Sequence, residues 1–570
     1  MKQTKLTFVA ALLLTAFAAG AQSIKDGVTD FYAQRYKSAK SVFEGLLASN
    51  PNNLEATYWL GQTLIENEEV PAARALYEKV LMANGDAPLV LVGMGHVELY
   101  ENKKNEARQR FESALSLSRS RKGDDPDILK AVARANIDAK AGDVAYAIEK
   151  LKAADERDSK NKDPEIYYLL GDAYRKAHEG GNAVINYDKA LEADKTFAVA
   201  AFRKAKLYET QQNWEIYLQD LNDAISRDPK FAPAYYEMYY YYLYRQQFTE
   251  ADDNAKKFLA NTDADIQNDY LVAQTCWAKK DFDCAIRTLN NIISQAGPQT
   301  KPRTYKLMAY SYVDKGDTAA AKQYVEQYFA KAKEEDVVPP DYILKGEVEA
   351  YNTGNQALAF AGFKKAVQLD TLVENQNKFL DQAKNYFKVR GDKVGEADVD
   401  ILTYQIKKRE DIAYLFNTGV TLYQGGAYDR ADSIFKAYSK VYPDSVYGYL
   451  WSAYTNMAID TSGELGLAVP PFEKLLNLCL RDTVKNKENG LKAAPYLTQY
   501  YANVKKDYDS AVYYISQALK FDPENETFKK NLEILKRVAD QNRRAAGGTK
   551  TPGKLPKPVA MAAPPHSDKA

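Results

Sequence analysis

Small, aromatic and apolar residues return along this chain in one frame. The stretch from Leu60, LGQTLIENEEVPAARALYEKVL, and the stretch from Leu169, LLGDAYRKAHEGGNAVINYDKAL, both place a glycine (Gly61, Gly171) twelve positions before an alanine (Ala73, Ala183). An aromatic follows four positions later (Tyr77, Tyr187), and Val80 or Ala190 three beyond that. Such spacings gather side chains on one face of a helix. The frame recurs at about 34 residues, which predicts an all-α array of roughly fourteen two-helix units in the chain. A helix pair this small cannot bury its apolar face alone, so its stability comes from stacking on its neighbours.

Both ends break the frame. Met1 to Ala21 reads MKQTKLTFVAALLLTAFAAGA, with basic Lys2 and Lys5, an apolar run from Leu6 to Ala19, and small residues before Gln22. The run is short for a membrane span. The three-part order predicts a signal peptide over residues 1–21, cleaved after Ala21, and an exported chain of bacterial type, periplasmic or secreted. At the other end Phe528, Leu532, Leu535 and Val538 stand at helical spacing within 524–544, a predicted capping helix with a polar outer side. Residues 545–570 hold five prolines among small residues and lysines and predict a disordered tail. Between the ends, the frame fits poorly from 370 to 397, and residues 391–411 read equally as a hinge or as one worn unit. Two arrays, 22–399 and 400–523, follow from the hinge reading.

With these residues in register, the chain resembles the tetratricopeptide repeat family. The match is best over Pro164 to Asp194, where Leu170-Gly171, Tyr174, Ala183, Tyr187 and Ala190 all fall in place. It continues with Tyr208, Ala224 and Pro229, and resumes at Tyr305, Tyr312, Gly316 and Ala321, at Gly419, Ala431 and Phe435, and at Ala511, Ala518 and Pro523. The resemblance implies a right-handed α-solenoid. Gly or Ala at position eight of a unit lets its first helix approach the second. Asp228-Pro229 and Asp522-Pro523 should end second helices. Gly142, Gly316 and Gly391 should sit at the turns within units, where glycine readily takes positive φ.

Family ligands contact positions two, five, nine and twelve of the first helices. Here those places hold Tyr168, Asp172 and Arg175, then Phe202 and Lys206, Tyr236 and Tyr240, Tyr270, Gln274 and Trp277, and Arg303, Lys306 and Tyr310. Further on, Phe416, Tyr454, Tyr496 and Tyr500 take equivalent places. A hollow so lined suits an extended peptide or a helix, because tyrosine offers broad apolar area with a polar tip. In the run YYEMYYYYLY, Tyr235, Tyr239 and Tyr242 should pack inside while Tyr236 and Tyr240 face the hollow. Tyr168 and Asp172 stand where family members that grip a terminal carboxylate carry Lys and Asn, so that capture is not expected.

Chemistry adds little. The chain of 570 residues carries 77 Lys+Arg against 77 Asp+Glu, so no net pull toward nucleic acid arises. Its three histidines, His96, His178 and His566, are far apart, with His96 expected in packing and His178 at a turn. No nucleotide, metalloprotease or nucleophile-elbow motif is present, and no catalytic residue, cofactor or metal is assigned. Cys276 and Cys284 lie eight residues apart. Export would permit a disulfide, but position eleven points between the two helices, which favours two small buried hydrophobes; Cys479 reads as buried and unpaired. Lys529 to Lys569 carries an excess of +7, against −9 over Gln22 to Phe528. The expected function is a non-enzymatic scaffold in the cell envelope, binding a protein or peptide in assembly, secretion or transport. The alternative is a glycan- or lipid-binding module using stacked tyrosines and the basic end, which as a solvated tail would serve only solubility.

Overall fold

The computed structural model describes residues 23–158, 163–407 and 412–546. The expected signal peptide and tail lie outside them. Among the described residues there are 29 α-helices, with no strand beyond one isolated bridge between Ser120 and Gly123. The helices pack into two compact units, residues 1–315 and 316–570.

In the first unit the helices pair in chain order. Pro164–Lys176 packs on Gly180–Ala193, Ala198–Thr210 on Trp214–Arg227, and Ala232–Tyr244 on Phe248–Asn261. Their starts at 164, 198 and 232 keep the predicted 34-residue period. One continuous core runs from Phe31 to Met238 and takes in the aromatics of each second helix. The position-eight glycines explain why. A Cβ on Gly171 would lie 2.4 Å from the Tyr187 ring, and one on Gly61 2.0 Å from that of Tyr77. The missing side chain is therefore the socket into which the second helix inserts its ring. The helices Trp214–Arg227 and Tyr508–Phe521 end at Asp228 and Asp522, each followed by proline, as expected.

The turns within units show a regularity that composition hides. Gln34, Glu68 and Asn102, then His178, Gln212, Gln246 and Lys280, all have φ between 55° and 63°. These are non-glycine residues in the left-handed region, each at the same place in its hairpin. Gly316, Gly354, Gly391 and Gly426 adopt the same hand. Gly142 does not, contrary to expectation. It is required for space instead, because a Cβ there would meet the Asn136 carbonyl oxygen at 2.2 Å.

In the second unit, cores form around Phe363 and Phe387, around Phe435 and Leu422, and around Phe472, Leu475 and Phe521. The poorly fitting stretch is helical: Val373–Val389 and Lys393–Ile406 form a regular pair. The final helix, Glu526–Ala546, buries Leu535, Val538 and Ala539 and packs Phe528 and Leu532 against the last hairpin, as a cap should. Cys479 is buried and free, its thiol pushed up to about 11 by burial.

A polar relay crosses the second and third hairpins. His96 Nδ1 lies 2.8 Å from Gln62 Oε1, Gln62 donates to Tyr77 Oη, and Tyr77 Oη donates to the Tyr58 carbonyl at 2.8 Å. His96 is buried, and desolvation first, then Arg134, lowers its pKa from 6.5 to about 3. The folded chain thus holds a neutral imidazole that the unfolded chain protonates below pH 6.5, so its contribution is complete above that pH and declines as pH falls. Relative to His96→Asn, wild type should lose about 1 kcal/mol between pH 6.5 and 5.5 in denaturant titrations. Independently, Gly171→Leu should lower stability by roughly 1–3 kcal/mol through overpacking against Tyr187, readable as a lower melting temperature.

Candidate functional site

The expected row of contact residues divides into a sealed part and an open part. The sealed part results from closure of the first unit by its own first hairpin, Ile24–Tyr32 and Tyr36–Ser49. Tyr32 lies against Tyr168 and Phe197, with ring centroids 5.4 and 5.6 Å apart. Its hydroxyl donates to Glu165 Oε1 at 3.0 Å and accepts from Arg134 Nη2, while Arg134 also pairs with Glu165. Burial pushes the Glu165 carboxyl up, but Lys130 and Arg134 overcome it and hold the group at about 2. Farther along, Arg35 donates to the Lys230 and Asn261 carbonyls at 2.9 and 3.4 Å. The Lys37 amide donates to Asp263 Oδ2 at 2.7 Å, the Ser38 hydroxyl to Asp263 Oδ1, and Lys37 Nζ reaches Asp265 at 3.3 Å. These contacts clasp the first hairpin to residues between 102 and 228 positions away.

The clasp decides what the first contact residues do. Tyr168, Asp172 and Phe202 are buried, which corrects their placement on an open hollow. Asp172 accepts the Tyr187 hydroxyl at 2.7 Å and faces Arg175 and Arg203 at 3.4 and 3.5 Å. Burial raises its pKa, but Arg203 and Arg175 bring it below the ordinary value. Lys206 is bound to Glu237 and Glu209. Below Tyr36 a cavity of about 50 Å³ is bordered by Glu66, Arg134, Asp138 and Arg203. Asp138 is an exposed residue that lines this cavity together with those charged side chains. Desolvation, opposed by Arg134 and reinforced by Glu66 and Asp172, pushes it up to about 7.

The open part begins in Ala232–Tyr244. Tyr235 and Tyr239 are buried, as expected, and Tyr242 is half-buried. Tyr236 and Tyr240 are half-buried, with rings 4.9 Å apart and hydroxyls at 3.4 Å. Tyr244, not anticipated from the sequence, continues the ladder 5.8 Å from Tyr240 and is 74% exposed. Its i+4 spacing from Tyr240 was the available signal. Opposite stand Tyr270, with the Arg303 guanidinium 4.6 Å from its ring centroid, and Trp277, 6.2 Å from Tyr310. Trp277 Nε1 donates to Asp314 at 2.7 Å. Lys306 is half-buried on the same helix as Arg303. Tyr244, Gln274, Trp277, Lys280 and Asp314 line a crevice of about 710 Å³. Gln274 Oε1 is buried without a hydrogen-bond partner, and so is Arg303 Nε. Of the later aromatics, Tyr500 is buried, while Phe416, Tyr454 and Tyr496 are half-buried.

In the same hairpin as Trp277, Cys276 and Cys284 are bonded, with Cα atoms 5.7 Å apart. The expectation of two buried hydrophobes is overturned: both residues are half-buried, and the tight turn at Lys280 brings the ends of Tyr270–Ala278 and Phe282–Ala296 within bonding reach. Among the described residues no three His, Cys, Asp or Glu gather as a metal site would require, and no helix is long and apolar enough to cross a membrane. His178 is exposed at its turn, as expected.

Two family models, each described as tetratricopeptide repeat, match residues 31–91 and 164–197. No curated protein sequence matches. Among solved structures, a tetratricopeptide repeat protein from Parabacteroides merdae is 21% identical over 45% of this chain and 97% of its own, with a TM-score of 0.37. The C-terminal part of a TPR repeat-containing protein from Cytophaga hutchinsonii is 25% identical over 46% and 99%, with a TM-score of 0.25. The Cut9–Hcn1 hetero-tetramer of the APC/C is 14% identical over 93% and 99%, with a TM-score of 0.31.

The clasp is testable by itself. Arg35→Ala with Asp263→Ala should cost roughly 1–2 kcal/mol. Hydrogen exchange should quicken in both 24–38 and 164–170, since Tyr32 leaves its seat when the hairpin lifts; faster exchange in 24–38 alone would reduce the clasp to a frayed end.

Proposed function

We propose that this chain, being a tetratricopeptide repeat protein, is a non-enzymatic scaffold that holds a protein or peptide partner on the aromatic face from Tyr236 to Tyr310. The observation that carries this reading is the crevice beside Tyr244 and Trp277. It joins the aromatic side chains Tyr244, Phe248, Trp277 and Phe282, the cation Lys280 and a volume of about 710 Å³. Aromatic side chains with few rotors and a polar tip are the usual energetic anchors of protein recognition. Residues Tyr168, Asp172 and Phe202 support the scaffold from beneath instead of touching the partner.

The proposal extends to the bacterial cell envelope, with export after cleavage behind Ala21, and to a role in an assembly, secretion or transport complex. The order of basic, apolar and small residues over 1–21 supports export. The bonded Cys276 and Cys284 are in keeping with it, because disulfides persist in oxidising compartments. The basic end is free under this reading to touch an anionic envelope surface.

A photo-crosslinking residue in place of Tyr244 should capture a polypeptide in cells, identified by mass spectrometry, and the same residue in place of exposed Ile185 should not. Trp277→Ala should reduce the adduct while helicity by circular dichroism stays unchanged. No adduct at Tyr244, or equal capture at Ile185, would reject the reading.

A further inference from the structure

One covalent bond in the first unit is not required by the turn it spans. Cys276 and Cys284 join Tyr270–Ala278 to Phe282–Ala296 across the turn at Lys280, where φ is 63°. Glu68, His178, Gln212 and Gln246 hold the same left-handed turn in their hairpins with no cysteine nearby. The bond links residues eight positions apart, so it removes little chain entropy from the unfolded state, and what it fixes is local. The segment it encloses forms one wall of the crevice: Trp277, Ala278, Lys280 and Phe282 all lie between the two cysteines. We propose that the Cys276–Cys284 bond is a redox gate on the partner crevice, holding Trp277 and Phe282 in place while intact and releasing them when a dithiol cleaves it. The gate rests on the partner reading of the crevice and supplies its regulation.

Packing alone holds this hairpin loosely. Its first helix has nine residues, where the first helices starting at 164, 198 and 232 have thirteen. It buries only Leu271, Ala273 and Thr275. Ala273 stands where Gly61 and Gly171 stand, and Leu289 where Tyr77 and Tyr187 insert their rings, so no ring locks the two helices. The polar ties beside the loop lie at the surface: Lys279 with Asp252, Lys315 with Asp283, and Trp277 with Asp314. Exposed contacts of this kind restrain little. The bond is thus the main tie between the helix ends that carry Trp277 and Phe282, and it sets their distance from Tyr244 and Phe248, which line the crevice from the preceding hairpin. Both cysteines are half-buried, within reach of a small dithiol, whereas Cys479 is buried. A thiolate of the dithiol attacks one sulfur, the bond between Cys276 and Cys284 breaks as a mixed disulfide forms, and the second thiol then displaces the protein sulfur. The dithiol leaves as a disulfide, and its electron pair and protons remain on the cysteines as thiols.

Reduction of the full chain without denaturant tests this. Dithiothreitol should yield reactive thiols at Cys276 and Cys284 but not at buried Cys479, read by maleimide labelling and mass spectrometry. Hydrogen exchange should then quicken by about tenfold or more over 270–284 and stay unchanged over 164–193. In cells, a photo-crosslinking residue in place of Tyr244 should give an adduct weaker by at least roughly threefold when Cys276→Ser and Cys284→Ser are added, at unchanged helicity. A bond that resists dithiothreitol in the folded chain overturns the gate, and so does unaltered exchange over 270–284. An equal adduct with and without the cysteines overturns the gate and leaves the partner reading standing. No adduct from the chain that keeps both cysteines refutes the partner reading, and the gate falls with it.

Discussion

The insertion of one aromatic ring into the space beside one glycine is the contact on which this molecule is built. Tyr187 can lie flat against Gly171, and Tyr77 against Gly61, because the first helix lacks a side chain there. Hairpins that carry this glycine close on the ring, while Ala198–Thr210 and Ala232–Tyr244 pack on their second helices without one. Two helices of 13 and 14 residues, such as Pro164–Lys176 and Gly180–Ala193, do not stabilise themselves in isolation. Their remaining apolar faces are covered by the hairpins before and after, which is why the core of the first unit is one ribbon from Phe31 to Met238. The relay from His96 through Gln62 and Tyr77 to the Tyr58 carbonyl belongs to the same interface and satisfies His96 Nδ1, the Gln62 amide and the Tyr77 hydroxyl, while His96 Nε2 and the Tyr58 hydroxyl are buried without a hydrogen-bond partner.

Function is layered on that ribbon by a different kind of contact. The clasp ties Tyr32, Arg35 and Ser38 to partners near residues 165, 230 and 263. It converts part of the inner surface into core and leaves another part free. Tyr168 and Tyr236 occupy the same position of their hairpins, yet the first is sealed and the second accessible. Position in a repeat therefore determines which way a side chain points, and the closure of the unit determines whether anything can reach it.

Nearly all of the helical layout was legible in the sequence, because the signal is local. Gly171, Ala183 and Tyr187 lie within one hairpin, and the Asp-Pro pairs stop helices by their own backbone chemistry. The turn residues were only half legible. Gly316 and Gly391 announce a left-handed turn, whereas Glu68, His178 and Lys280 adopt it without any compositional mark. The site was legible as a stripe but not as a site. No local pattern links Ser38 to Asp263, and without that link Tyr168, Asp172 and Phe202 read as contact residues. Cys276 and Cys284 were misjudged because their unit was taken to point position eleven inward, when the turn at Lys280 draws the two helix ends together at the edge.

The clasp spans a stretch of chain that is already folded. In a flexible polymer the cost of joining residues 38 and 263 would be chain entropy, growing slowly with the number of residues between them. Here the intervening hairpins are fixed against one another, and the cost is elastic: each must contribute its share of rotation for Ser38 to arrive opposite Asp263. A small change in the angle of any one hairpin accumulates at the seam. The closure thus acts as a gauge of the geometry of the repeats between its two halves.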